Sequence, residues 1–187
     1  EKNGTLIRWH LAFFYGLRQG EALGLRWSDL KLQGTTPEMN IGAQLQRLTG
    51  KGLTLVPLKT SGSYRTLPLT TETANLLIQE KLNQELARTV HGPDWNQEDY
   101  VFVTALGTPM DPSNERTAWK KMLKQAQVNY MPIHTARKSA ASMNKNPAIA
   151  QRLLGHANSS TTMDYYIDVK PEEMRSSLEK NQSQLSK

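Results

Sequence analysis

Residues 133–166 read IHTARKSAASMNKNPAIAQRLLGHANSSTTMDYY, and the rest of the chain is interpreted from this stretch. His134 and Arg137 stand three residues apart, so on a helix they share one face and can point at a single anion. Arg is the side chain best suited to a phosphate, because its planar fork makes two parallel charge-assisted hydrogen bonds. Leu153-Leu154-Gly155-His156 reads as the end of an apolar helix, with Gly155 as the cap that turns the chain and presents the imidazole. Tyr165 and Tyr166 follow about ten residues later. A phenol is a weak nucleophile at neutral pH, but it attacks when cations hold its target and lower its pKa.

The order and spacing of this set resemble the catalytic domain of the tyrosine recombinases, the phage-integrase family. His134-Thr135-Ala136-Arg137-Lys138-Ser139 is similar to that family's second box. Leu153-Leu154-Gly155-His156, with Thr161-Thr162-Met163-Asp164-Tyr165-Tyr166, is similar to its third box and nucleophile segment. Counting from His156 leaves both tyrosines open as nucleophile, and the pattern Thr-Thr-Met-Asp-x-Tyr favours Tyr166. The interval from Arg137 to His156 is a few residues shorter than the family's, which predicts a trimmed junction around Asn144–Pro147.

Working back toward the amino terminus, Gly16-Leu17-Arg18-Gln19-Gly20-Glu21 places an Arg between two glycines, where the backbone can turn and aim the guanidinium into a cleft. Glu21 is spaced to pair with it. The run through Leu25-Arg26-Trp27-Ser28-Asp29-Leu30 resembles the family's first box, which implies Arg18 as the first phosphate-gripping Arg and Glu21 as its support. Upstream, Leu6, Trp9, His10, Phe13, Phe14 and Leu17 recur at helical spacing and predict a buried helix over 4–17, with His10 a core residue.

Between about Met39 and Leu69, glycines punctuate short alternating runs, predicting a small antiparallel sheet of strands 39–48, 52–58 and 64–69. Leu58-Lys59-Thr60-Ser61-Gly62-Ser63-Tyr64-Arg65 then reads as a hairpin tip. It resembles the family's β-hairpin, whose Lys reaches the active site. On that resemblance Lys59 is the general acid and Arg65 a phosphate contact. Thr70-Thr71-Glu72 opens a helix to about 88, expected to bury Ala74, Ile78, Leu82 and Leu86. Asp111-Pro112 caps another, with core face Trp119, Met122, Leu123 and Ala126. Pro171-Glu172-Glu173 starts a last helix with a thin stripe of Met174, Leu178 and Leu185. In the family such a tail docks on a neighbouring protomer, the alternative being packing within its own chain.

Composition agrees with a polyanionic partner. The 187 residues carry a net charge of +6 and no Cys, which excludes disulfides and thiolate metal sites. The segment Pro112–His156 holds eight Lys or Arg against the single acid Glu115, so it carries +7 and the remainder −1. Lys120, Lys121, Lys124 and Lys138 lie there and are read as a DNA-facing surface. Four His and the scattered carboxylates show no zinc spacing, and no apolar run reaches the roughly 18 residues a membrane span needs.

The expectation is therefore an α+β, mainly helical single domain with a three-stranded antiparallel sheet, residues 1–187. Because it begins Glu1-Lys2, it is read as a fragment lacking an amino-terminal DNA-clamping domain, with 171–187 as tail. The resemblance implies a metal-independent site-specific recombinase that integrates or excises a mobile element. It would need no cofactor, act on double-stranded DNA in the bacterial cytoplasm as a tetramer exchanging tails, and touch no membrane. A type IB topoisomerase, which shares the Arg-Lys-Arg-His-Tyr logic, and a non-catalytic DNA-binding module are the competing readings.

Overall fold

The computed structural model describes residues 3–96, 98–155 and 169–185. Helix α1 (Asn3–Tyr15) contributes side chains to both hydrophobic clusters. Ile7, Leu11 and Tyr15, spaced by four, lie in the main core. Trp9 and Phe13 turn to a second cluster around Trp119, with the two indoles edge to face at 5.3 Å. A helix apolar on most of its circumference must be covered on most sides. Leu6 is the exception to the predicted stripe and is exposed. His10 is a core residue, with Nε2 2.9 Å from the Thr73 hydroxyl and its ring against Phe14.

After α1 come α2 (Gln19–Leu23), β1 (Leu30–Lys31), β2 (Glu38–Ile41), β3 (Ala43–Leu48), β4 (Gly52–Pro57) and β5 (Arg65–Pro68). The alternation that predicts three strands is present, but the pairing differs. The 39–48 run breaks at Gly42 into β2 and β3, which join different sheets. β2 lies between β1 and β5, all antiparallel, with Met39 opposite Leu67. β3 and β4 form a separate hairpin from Ala43↔Pro57 to Leu48↔Gly52. Its tip is therefore Thr49-Gly50-Lys51. The expected tip at Lys59 is instead the link from that hairpin to β5, because β4 and β5 do not pair.

Helix α3 (Thr71–His91) is capped by Thr70, whose hydroxyl accepts from the Thr73 N–H. Its apolar side chains are covered only in the first turns: Ala74 and Leu77 are buried, whereas Ile78, Leu82 and Leu86 are exposed. Each step of four residues advances about 40° around a helix, so by Leu86 the stripe has rotated roughly 120° from Ala74 and left the core. Helix α4 (Pro112–Gln125) has Asp111 as its cap and buries Trp119 and Leu123; Ala126, past its end, is exposed. Helices α5 (His134–Met143) and α6 (Pro147–Leu154) are joined by three residues, the short junction predicted. Within it Asn144 is buried and accepts from Ser177 and Asn181 of α7 (Pro171–Leu185).

Met174 and Leu178 of α7 are buried in the main core, and Leu185 is left exposed. Among the described residues, no helix is long and apolar enough to cross a membrane.

Candidate active site

The site starts where α1 stops. Gly16 has φ +63°, a left-handed conformation that opens space for no side chain: a Cβ there would sit 2.6 Å from Leu154 Cδ2 and 3.3 Å from Ala140 Cβ. The turn brings the α1 end against α5 and α6, and it starts α2 at Arg18. The Arg18 N–H donates to Glu21 Oε2 at 2.9 Å, and its Nη1 donates to Oε1 at 2.5 Å. Glu21 thus caps the first turn of α2 and orients the guanidinium at once. The Arg18 side chain remains 40% exposed while that of Glu21 is 1% exposed, so the cation is available to a ligand and its partner is not. Gly24, at the other end of α2, lets the helix lie directly on β3; a Cβ there would stand 2.7 Å from the Leu45 nitrogen.

Glu21 has a second partner. Arg65 Nη2 donates to Oε2 at 2.9 Å and Nη1 approaches Oε1 at 3.4 Å, in a pair whose side chains are 5% and 1% exposed. Arg65 also donates from Nε to the Leu153 carbonyl and from Nη1 to the Ser63 carbonyl, each at 2.8 Å. Burial alone would raise the Glu21 pKa, but the hydrogen bonds and charge of Arg65, then the hydrogen bonds of Arg18, outweigh it and hold the carboxyl below its ordinary range. The expectation that Arg65 contacts a DNA phosphate is corrected here: its donors face a carboxylate and two carbonyls inside the molecule.

Arg137 reaches the same place from α5. Nη1 donates to the Gly16 carbonyl and Nη2 to the Leu154 carbonyl. Each Nη keeps one further N–H. Burial lowers its pKa to about 10, with Arg18 and Arg65 adding repulsion and Glu21 opposing it. It stays protonated at neutral pH. His134, one turn earlier on the same helix, is exposed. Arg18, His134 and Arg137 line one cleft of about 280 Å³, together with Arg8, Gln19, Glu115 and Tyr130. Three guanidiniums surrounding one carboxylate leave an excess of positive charge there, with two of them at the cleft wall. Such an excess is able to hold an anion, and its donors suit the tetrahedral oxygens of a phosphate diester.

The other expected residues are placed unevenly. Lys59 is exposed, between β4 and the turn 61–63, and is not among the cleft's lining residues. Gly155 takes the left-handed cap predicted for it, φ +57° and ψ +50°. His156, Tyr165 and Tyr166 lie outside the described residues. Lys120, Lys121, Lys124 and Lys138 are exposed, as a DNA-facing surface requires. Three features have no signature in the sequence reading. Tyr130 is 62% exposed on the cleft's rim, with Lys120 Nζ 5.6 Å above its ring, so it joins the cleft to the lysine face of α4. Arg8 and Glu115, in the cleft's wall, form a buried ion pair. Gln19 links α2 to α4 by donating to the Pro112 carbonyl at 2.9 Å. Residues far apart in the chain make the last two contacts, and no local pattern signals them.

The sequence pattern of the phage integrase family matches residues 5–173. A tyrosine recombinase XerC-like protein of Caldanaerobacter subterraneus subsp. tengcongensis is 30% identical, over 90% of this chain and 46% of that protein. The integrase of Saccharopolyspora erythraea is 24% identical, over 76% of this chain and 43% of its own length. The transposase from transposon Tn916 of Enterococcus faecalis is 26% identical, over 81% and 39%. Among solved structures, the Tn1549 transposon integrase in complex with a circular intermediate DNA aligns with TM-score 0.67 and 21% identity, over 94% of this chain and 57% of that one. XerH site-specific recombinase bound to difH substrate gives 0.58 and 20%, over 82% and 40%. The chain thus spans less than half the length of these curated relatives, and the two solved structures share its fold.

Proposed function

Since the chain belongs to the phage integrase family, we propose that it is the catalytic domain of a tyrosine site-specific recombinase, which cuts and rejoins DNA through a covalent protein–DNA intermediate. The observation that carries this reading is the single cleft walled by Arg18, His134 and Arg137, brought together from segments more than a hundred residues apart.

A phosphodiester resists attack because its anion repels nucleophiles and its leaving alkoxide is basic. Arg18 and Arg137 hold the two non-bridging oxygens and offset the charge that grows on them in the pentacoordinate transition state. His134 and His156 add hydrogen bonds. The Tyr166 oxygen attacks phosphorus as its phenol proton passes to water, the P–O5′ bond breaks, and the departing 5′ oxygen takes a proton from Lys59. The product is a 3′-phosphotyrosine. Its bond keeps the energy of the ester, so a 5′-hydroxyl from a second duplex can reverse the step and join new partners. The scheme is complete with amino-acid side chains alone, with no metal, cofactor or nucleotide.

Duplex DNA is the substrate, bound along the exposed lysines of α4 and α5. Recombination joins two duplexes, so further protomers assemble on the DNA as a tetramer, and the remainder of 171–187 past the docked part of α7 is available for exchange between them. Relatives named as integrases and transposon transposases support integration and excision of a mobile element; the reading places this activity in the cytoplasm of a bacterium. Residues 1–187 then constitute the catalytic domain, with DNA clamping shared with a further domain.

The test is covalent capture. Nicked duplexes with randomised flanks, which lose the 5′-hydroxyl fragment after cleavage, should accumulate an adduct that Tyr166→Phe abolishes without loss of binding. An adduct surviving Tyr166→Phe but absent in Tyr165→Phe would move the nucleophile by one residue. Absence of any adduct would refute the reading.

A further inference from the structure

Arg65 has no part in the scheme above, yet its guanidinium makes four hydrogen bonds. Its guanidinium has three edges, and each faces a different segment. Nη2 and Nη1 reach Glu21, the carboxylate that aims Arg18. Nη1 also holds the Ser63 carbonyl, in a turn closed by Ser63 N–H to the Thr60 carbonyl at 3.1 Å and by the Thr60 and Ser63 hydroxyls at 2.9 Å. That turn follows Lys59 directly. Nε holds the Leu153 carbonyl, at the end of α6. The neighbouring Leu154 carbonyl is held by Arg137, so two guanidiniums cap consecutive carbonyls of one helix end. The Arg65 side chain is 5% exposed, which keeps DNA from reaching it.

We propose that Arg65 is a positioning residue for strand transfer: one buried guanidinium braces the Arg18 turn, the Lys59 link and the α6 end against one another. This rests on the recombinase reading. Lysine could not replace it, because an ammonium is a point donor and cannot serve a carboxylate and two separately directed carbonyls at once. The brace also accounts for how Lys59 is held. The β4 strand belongs to a hairpin separate from the β5 sheet, so no ladder of β bonds fixes the link between them, and Arg65 fixes it from the β5 side.

The decisive variant is Arg65→Lys, which keeps the charge. Single-turnover adduct formation should fall by about 10²-fold, the scale on which small misplacements of reacting groups act, while DNA affinity stays within about threefold. On a duplex whose bridging 5′ oxygen is replaced by sulfur, the leaving thiolate needs no proton. The share of the defect that comes through Lys59 should vanish there, narrowing the loss by about tenfold. An unchanged rate, a loss explained by weaker binding, or an equal loss on both substrates would overturn the proposal. Phosphate contact is tested separately by adding Arg65→Gln to Glu21→Gln, where no buried charge is left unpaired. The slope of log affinity against log salt should not change, and a decrease of about 0.9 would mark Arg65 as a DNA ligand. If the parent chain forms no adduct, the recombinase reading falls, and hydrogen exchange still judges the brace. Arg65→Lys must speed exchange at 61–64 and 153–155 and leave α3 alone, and unchanged protection would refute it.

Discussion

Replacing Glu21 by Gln should destabilise the fold far more than removing the cation it orients. Glu21 and Arg65 are 1% and 5% exposed, so the substitution leaves a guanidinium buried with its charge uncompensated. Breaking a buried pair in this way typically costs about 3–5 kcal/mol. Arg65 keeps its two carbonyl acceptors, which favours the lower end, near ~3 kcal/mol. For a chain of this size that is a fall in Tm of roughly 6–12 °C. Arg18→Ala makes the control. Its guanidinium is 40% exposed and repels Arg137, so its loss should change stability by less than about 1 kcal/mol. Urea unfolding at pH 7 measures both. The acid limb supplies a second check. The Glu21 pKa is held below its ordinary 4.5, so its contribution is complete above that value and is lost as the pH falls through the lower folded value. Glu21→Gln should flatten that part of the profile. A variant within about 1 kcal/mol of the parent, with the same acid limb, would refute the claim that this carboxylate offsets the buried Arg65.

Three other outcomes follow from particular side chains. Burial lowers the His10 pKa from 6.5 to about 4, so between those values the unfolded chain binds a proton that the folded chain refuses. Stability should therefore fall from pH 6.5 toward 4, by up to about 3 kcal/mol, and His10→Gln should remove that slope in urea titrations. On α3, Leu82→Glu should change stability by less than about 0.5 kcal/mol, whereas Leu77→Ala, at a fully buried position, should lose about 2–5 kcal/mol. Replacing Lys120, Lys121 and Lys124 together by Ala should weaken DNA binding uniformly across sequences and lower the salt slope by about 0.9 for each phosphate no longer neutralised.

What could be read in the sequence is what short windows carry. Arg18 between two glycines, His134 and Arg137 on one helical face, Gly155 as a left-handed cap, and Thr70 and Asp111 as helix caps all depend on neighbours a few residues away. The misjudged features depend on partners chosen across the fold. Arg65 reads as a surface cation because nothing near it in sequence announces Glu21, 44 residues earlier, as its counter-ion. The alternation over 38–68 marks strands but not which pair, so the β4 to β5 link has the appearance of a hairpin tip. On α3 the apolar stripe is real, but it rotates away from the core as the helix continues past Leu77. Arg8 and Glu115, 107 residues apart, are invisible in the sequence for the same reason.

The catalytic scheme depends above all on Arg18 and Arg137 acting on one phosphate. The measurement is single-turnover adduct formation on a nicked duplex by the parent chain, Arg18→Ala and Arg137→Ala, with DNA affinity followed in parallel. Each substitution should slow the step by roughly 10²–10³-fold while changing affinity by less than about tenfold, as expected of donors that bind the transition state more tightly than the ground state. Either variant cleaving at the parent rate would contradict it.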